Sequence, residues 1–218
     1  LETKPTLGAR RVVIVDPADD MEKGAVNALL KGLEEPPAGT YFLLVAHRIG
    51  RLLPTVRSRC RILRFAPLGT GDVDAILRRA APEADAATRA AAIAAAQGSP
   101  GTALEFVAED LGKAHALMHR LVTGGDPDMT LRGAFAGEIG ARPARSRIAA
   151  VLDLSRAVLA GQLRDAPRPA QARIIEAHAA ITRLAGEAPI YNFDPGLLAM
   201  EIGGLLASAA MPREAGRR

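Results

Sequence analysis

Residues with the means to do chemistry concentrate between positions 16 and 61. Asp16 closes the apolar run Val12-Val13-Ile14-Val15, which places an acid at the C-terminal end of a strand, with oxygen donors of the kind a hard cation such as Mg²⁺ takes. The same pattern arises wherever a strand end meets a loop, so by itself it is not diagnostic. Arg57, Arg59 and Arg61 surround Ser58 and Cys60; a guanidinium is an always-charged planar fork that matches phosphate oxygens. For Arg59 the alternative is a surface arginine paired with a local carboxylate, and Arg57 and Arg61 read as structural or solvated. His47 has the chemistry of a lone general base, but no Ser or Cys nucleophile with a partnering acid accompanies it, so it reads as a polar strand-end residue. Asp19 and Asp20 read as solvated turn acids, and Glu34 and Glu35 as structural. Cys60, the one cysteine, cannot form an internal disulfide and reads as a half-buried small residue; no Cys/His cluster has the spacing of a zinc site.

The elements that must position these residues can be read from periodicity. The apolar run ending at Asp16-Pro17 suits a strand buried on both faces of a parallel sheet. Val26, Leu29, Leu30 and Leu33 form one stripe of an amphipathic helix that Pro36-Pro37 stops. Residues 41–46 form a second apolar run of strand length, which completes a strand, helix, strand order of the βαβ kind. Residues 61–65 alternate imperfectly before Pro67 and predict a final strand, with a domain boundary near 66–71. Beyond it the chain reads as helical: one helix capped by Asp72, an alanine-rich one from about Ala86 to Gly98, and one from Pro100. Further helices are expected near 113–123, 128–140, 144–164, 169–186 and 195–209. The expected fold class is therefore α/β plus all-α, with domains at 1–67, 68–110 and 111–218.

Composition bounds the answer. With 218 residues, 49% of them apolar, the chain can bury a real core. No apolar run reaches the ~18 residues of a membrane helix, and no basic-then-apolar leader opens the chain, which favours the cytoplasm. The formal charge of +4 permits contact with nucleic acid, but the excess is spread along the chain. Aromatic residues are only 3%, too few to stack single-stranded bases, so contact with DNA would run through phosphates. The chain opens at Leu1, and its first strand needs sheet neighbours that the early sequence lacks, so an N-terminal piece is expected to precede it.

Three segments then combine. Val12-Val13-Ile14-Val15-Asp16 has the form of a Walker B strand. Residues 27–37, Asn-Ala-Leu-Leu-Lys-Gly-Leu-Glu-Glu-Pro-Pro, resemble the helix after Walker B in clamp-loader subunits. Residues 52–60, Leu-Leu-Pro-Thr-Val-Arg-Ser-Arg-Cys, resemble their serine-arginine-cysteine motif. In this order and spacing they resemble the AAA+ clamp-loader family of bacterial DNA polymerase III, and its delta-prime branch in particular. The resemblance is densest over residues 11–68, continues through residues 98–104, and includes Asn192-Phe193-Asp194-Pro195 before the last helix.

The resemblance implies a partial AAA+ parallel-sheet module, related to P-loop NTPases, then a three-helix lid and a helical collar. It makes Arg59 the arginine that reaches across a subunit interface to ATP bound by a neighbour, with Ser58 and Cys60 as its motif and interface companions and Asp16 as a Walker B remnant. Hydrolysis by this chain itself is not expected. No Gly-Lys-Ser/Thr loop occurs in these residues; more telling, Pro17 replaces the acid that activates water, His47 stands where active relatives place a Thr or Asn, and Gly101 takes the place of a lid-domain arginine. No cofactor is expected in this chain, ATP–Mg being bound by neighbouring subunits. The implied partners are gamma/tau and delta subunits, with the sliding clamp and primer-template DNA met through the complex, a DNA polymerase holoenzyme with nucleotidyltransferase activity. Two alternatives stand: an ATP-hydrolysing gamma/tau-type subunit truncated before its phosphate loop, and a basic helical DNA-binding protein.

Overall fold

The computed structural model describes residue 8 and residues 10–210. The chain divides into two compact units, Leu1–Ala66 and Pro67–Arg218. Most of it is helical; the first unit adds a small parallel sheet.

In the first unit, strand β1 (Arg11–Val15) pairs in parallel with β2 (Thr40–Leu44), with Val13 opposite Phe42 and Val15 opposite Leu44. Helix α1 (Lys23–Glu34) makes the crossover that a parallel pair requires. Val26 and Leu29 are its buried residues, half of the predicted stripe, and Glu35-Pro36-Pro37 ends it because proline supplies no N–H to continue the ladder. Gly39, at φ 75°, turns the chain into β2. The short helix α2 (Pro54–Arg57) starts on a proline and is pinned by Val56, 1% exposed.

Two expectations for the strands of this unit differ from the structure. Residues 61–65 form no strand: neither β1 nor β2 pairs with them, and Phe65 stands 93% exposed. A strand exists only when its backbone groups find a partner, and local alternation does not supply one. Among the described residues the sheet is also not covered on both faces, since Val12, Ile14, Tyr41 and Leu43 are exposed along one side.

The second unit comprises α3 (Thr70–Ala80), α4 (Ala86–Ala96), α5 (Pro100–Ala108), α6 (Gly112–Gly124), α7 (Thr130–Ile139), α8 (Arg145–Asp165), α9 (Arg168–Glu187) and α10 (Pro195–Ser208). One continuous hydrophobic core runs from Val73 to Ala209, built on Phe106, Met118, Leu121, Phe135, Leu159, Ile181 and Leu206. Asp72 lies in the first turn of α3, and the capping position falls to Gly69.

The two segments beyond residue 66 that resemble the family have local physical reasons. Gln97 and Gly98 both take positive φ, 47° and 87°, and end α4. A Cβ on Gly98 would lie 2.6 Å from the Pro67 Cβ and 2.8 Å from the Leu68 carbonyl oxygen, so only glycine fits. Ser99 then accepts from the Thr102 N–H, and Pro100 opens α5. Asp194 and Pro195 repeat this arrangement at α10, where the Asp194 carboxylate accepts from the Leu197 N–H at 2.9 Å.

Candidate functional site: the Arg59 rim and the Asp16 strand end

Arg59 is placed by the elements around it. With Val56 seated in the unit, the chain leaves α2 in tight turns, the Arg59 N–H donating to the Val56 carbonyl at 3.1 Å and the Cys60 N–H to the Arg57 carbonyl at 3.3 Å. The side chain of Arg59 stays 37% exposed, and its guanidinium is held on two sides. Nη2 meets the Glu34 carboxylate at 2.7 Å. Nη1 donates to the Thr55 carbonyl at 2.9 Å and, more loosely, to the Ser58 hydroxyl at 3.4 Å. Ser58 in turn donates to the same Thr55 carbonyl at 3.1 Å. The arginine thus pairs with a local carboxylate while remaining at the surface. Cys60 is half-buried and burial pushes its thiol up, away from the thiolate form that reacts.

At the end of β1 the Asp16 carboxylate is 58% exposed, and the His47 imidazole lies 3.9 Å away. The structure brings these two together, as their places at the ends of adjacent parallel strands require. Pro17 comes directly after Asp16 with no side chain able to accept a proton. Among the described residues no three His, Cys, Asp or Glu side chains converge as metal ligands. One carboxylate beside an imidazole is a poor match for the oxygen-rich octahedral shell that Mg²⁺ demands.

Asp19 corrects the sequence reading. It is no solvated turn acid: its side chain is 1% exposed. It accepts from the backbone N–H groups of His47 at 3.1 Å and Arg48 at 3.2 Å, and from Arg48 Nε at 3.4 Å. Burial alone would raise its carboxyl, but the N–H groups of His47, of Asp19 itself and of Arg48, with the Arg48 guanidinium, outweigh that and hold it below the ordinary carboxylate value. Asp20 stays exposed and meets Arg48 and Arg51, each at 3.1 Å. Sequence reasoning missed this knot because its partners lie 28 to 31 positions apart. Since both Asp19 oxygens are spent on the loop after β2, Asp19 orders that loop and is not free to act as the missing base.

In the helical unit Gly101 lies in the first turn of α5 and brings no charge there. A cleft of about 890 Å³ in this unit is edged by Asp126, Arg132, Arg173, Glu176 and Arg183. Arg132 is committed to Asp126 at 2.9 Å and Arg173 to the Ala210 carbonyl at 3.0 Å. None of the residues singled out from the sequence lies there.

The family described as "DNA polymerase III, delta subunit" matches residues 1–69. A DNA polymerase III subunit delta' of Pseudomonas aeruginosa is 45% identical over 98 residues, 44% of this chain and 30% of that protein. The resemblance to delta-prime subunits is borne out. The delta' subunit of Escherichia coli is 43% identical over 105 residues, 48% of this chain and 31% of its own. A replication factor C small subunit of Staphylothermus marinus is 38% identical over 63 residues, 29% of this chain and 19% of that protein. The chain thus matches under a third of the length of each of these relatives.

Proposed function

We propose that this chain works as a non-hydrolysing, delta-prime-like subunit of a DNA polymerase III clamp loader and lends Arg59 to ATP bound by a neighbouring subunit. Residues 1–67 then act as the C-terminal part of an AAA+ core, 68–110 as a lid and 111–218 as a collar. The partners are gamma/tau and delta subunits, with the sliding clamp and primer-template DNA met through the assembly in the cytoplasm.

The observation that carries the reading is Arg59 itself: an exposed guanidinium in the turn directly after α2, inside the segment that matches the delta-subunit family. As a γ-phosphoryl group transfers, negative charge spreads over its oxygens. A fixed cation at the rim of the adjoining subunit stabilises that charge without reorganising at the moment of reaction. ATP–Mg belongs to the neighbour in this scheme. Pro17, His47 and the commitment of Asp19 to the loop all support the absence of hydrolysis by this chain.

The test uses the full-length subunit reconstituted with its partners. Arg59→Ala is expected to leave folding and assembly intact and to lower DNA-stimulated ATP turnover at the adjoining site by ~10³-fold or more, while the subunit alone turns over no ATP above background. Unchanged turnover at that site rejects the role. Turnover by the isolated subunit that disappears on changing Asp16 rejects the non-hydrolysing reading and favours a gamma/tau-type enzyme.

A further inference from the structure

The Arg59 side chain is held, and one of the groups that hold it comes from a different element. Glu34 is the last residue of α1, whose Val26 and Leu29 are buried. Pro36 and Pro37 come soon after, so the helix end cannot slide onward. The Glu34 carboxylate reaches Arg59 Nη2 at 2.7 Å, while Thr55 and Ser58 take Nη1 from the α2 side. Helices α1 and α2 pack against each other, and Val56 anchors α2. The guanidinium therefore lies between a carboxylate at the end of α1 and acceptors on the α2 side.

We infer that Glu34 is a positioning residue: it orients the Arg59 guanidinium so that its remaining donors face outward toward the neighbour's phosphate. This rests on the reading of Arg59 as an arginine lent to a neighbour's ATP. A guanidinium carries five N–H donors. Thr55 and Ser58 engage the two on Nη1, and Glu34 faces Nη2 as an ion pair, on a side chain still 37% exposed. An arginine free to rotate must be ordered each time charge develops, whereas one already held meets the transition state in place. Glu34 is itself 49% exposed, and a pair this open contributes little to folding. Arg57 and Arg61 make no ion pair among the described residues, so this hold singles out the central arginine of the three.

In the reconstituted complex, Glu34→Ala is expected to lower kcat at the adjoining site by about 10-fold or more, with KM for ATP nearly unchanged. Glu34→Gln keeps an acceptor in the same place and is expected to restore most of the lost rate. The double variant Glu34→Ala/Arg59→Ala should be no slower than Arg59→Ala alone, because Glu34 acts only through Arg59. If Arg59→Ala is slow but Glu34→Ala and Glu34→Gln run at the unaltered rate, the positioning role is wrong and the reading of Arg59 survives. Faster turnover of Glu34→Ala makes the carboxylate a restraint and overturns the inference. A further loss in the Arg59→Ala background overturns it as well. If Arg59→Ala itself changes nothing, both readings fall.

Discussion

The two units solve different problems with the same kinds of residue. In the helical unit arginines and acids serve the fold. Asp126 is fully buried and accepts from the Leu131 and Arg132 N–H groups at the start of α7, while Arg132 Nε closes the pair at 2.9 Å. In the α/β unit Arg59 and Glu34 meet at a similar distance but lie in the open, where the pair does little for stability and leaves donors unspent. The apolar residues differ in parallel: Phe106, Met118 and Phe135 are sealed, whereas Val12, Ile14, Tyr41 and Leu43 face outward. The helical unit thus seals a large core while leaving Ile190, Tyr191 and Leu197 exposed at its surface, and the α/β unit exposes one whole side of its sheet. Stability and function are expected to respond to substitution in separate places.

The largest stability effect should come from the helical core. Phe135→Ala removes a ring with no exposure from α7, and urea unfolding of the chain is expected to show a loss of about 3–5 kcal/mol. A loss under about 1 kcal/mol would dissolve the contrast.

A smaller effect concerns His115. It is half-buried, with the Phe106 ring edge-on at 5.5 Å and His119 Nε2 at 3.1 Å. Burial, and then the neighbouring His119, lower its pKa from 6.5 to about 4. The folded protein holds this imidazole neutral while the unfolded chain protonates it below pH 6.5. Its contribution is therefore complete above pH 6.5 and is lost as the pH falls toward about 4. With partial exposure to water, about 1–2 kcal/mol of stability should disappear across that window. His115→Gln should flatten the slope in a pH series of denaturation midpoints; an unchanged slope would place the titration elsewhere.

The smallest effect is expected on the open sheet face. Ile14 is 65% exposed, so Ile14→Thr, which keeps β-branching, should shift the stability of this chain by less than about 0.5 kcal/mol. A larger loss would mean that this face is covered in solution, and the contrast with the helical unit would narrow.

Much of the fold was legible in the sequence because the signals are local. Four consecutive apolar residues before Asp16-Pro17 marked β1, a helical stripe marked α1, and the Gly98-Ser99-Pro100 and Asp194-Pro195 pairs marked where α5 and α10 begin. Where pairing was required, the sequence misled. The alternation over residues 61–65 predicted a strand that has no partner, and where two-sided burial was predicted for the first sheet strand, one face is exposed and the other only half-buried among the described residues. The candidate site was legible in part: Arg59 stood out by its motif, but the carboxylate that pairs with it, Glu34, did not.

By itself the sequence determined most of the helices and where they stop, though not the short α2, and which acid and proline stand at the first strand's end. These depend on contacts within a few positions and on backbone constraints that proline and glycine impose at any location. The tertiary structure alone decided that Asp19 goes inward to order the loop carrying His47 and Arg48, while Glu34 turns outward to grip Arg59. Each of these pairings joins groups far apart in the chain, and a carboxylate's role is set by which donors the fold brings within about 3 Å of it.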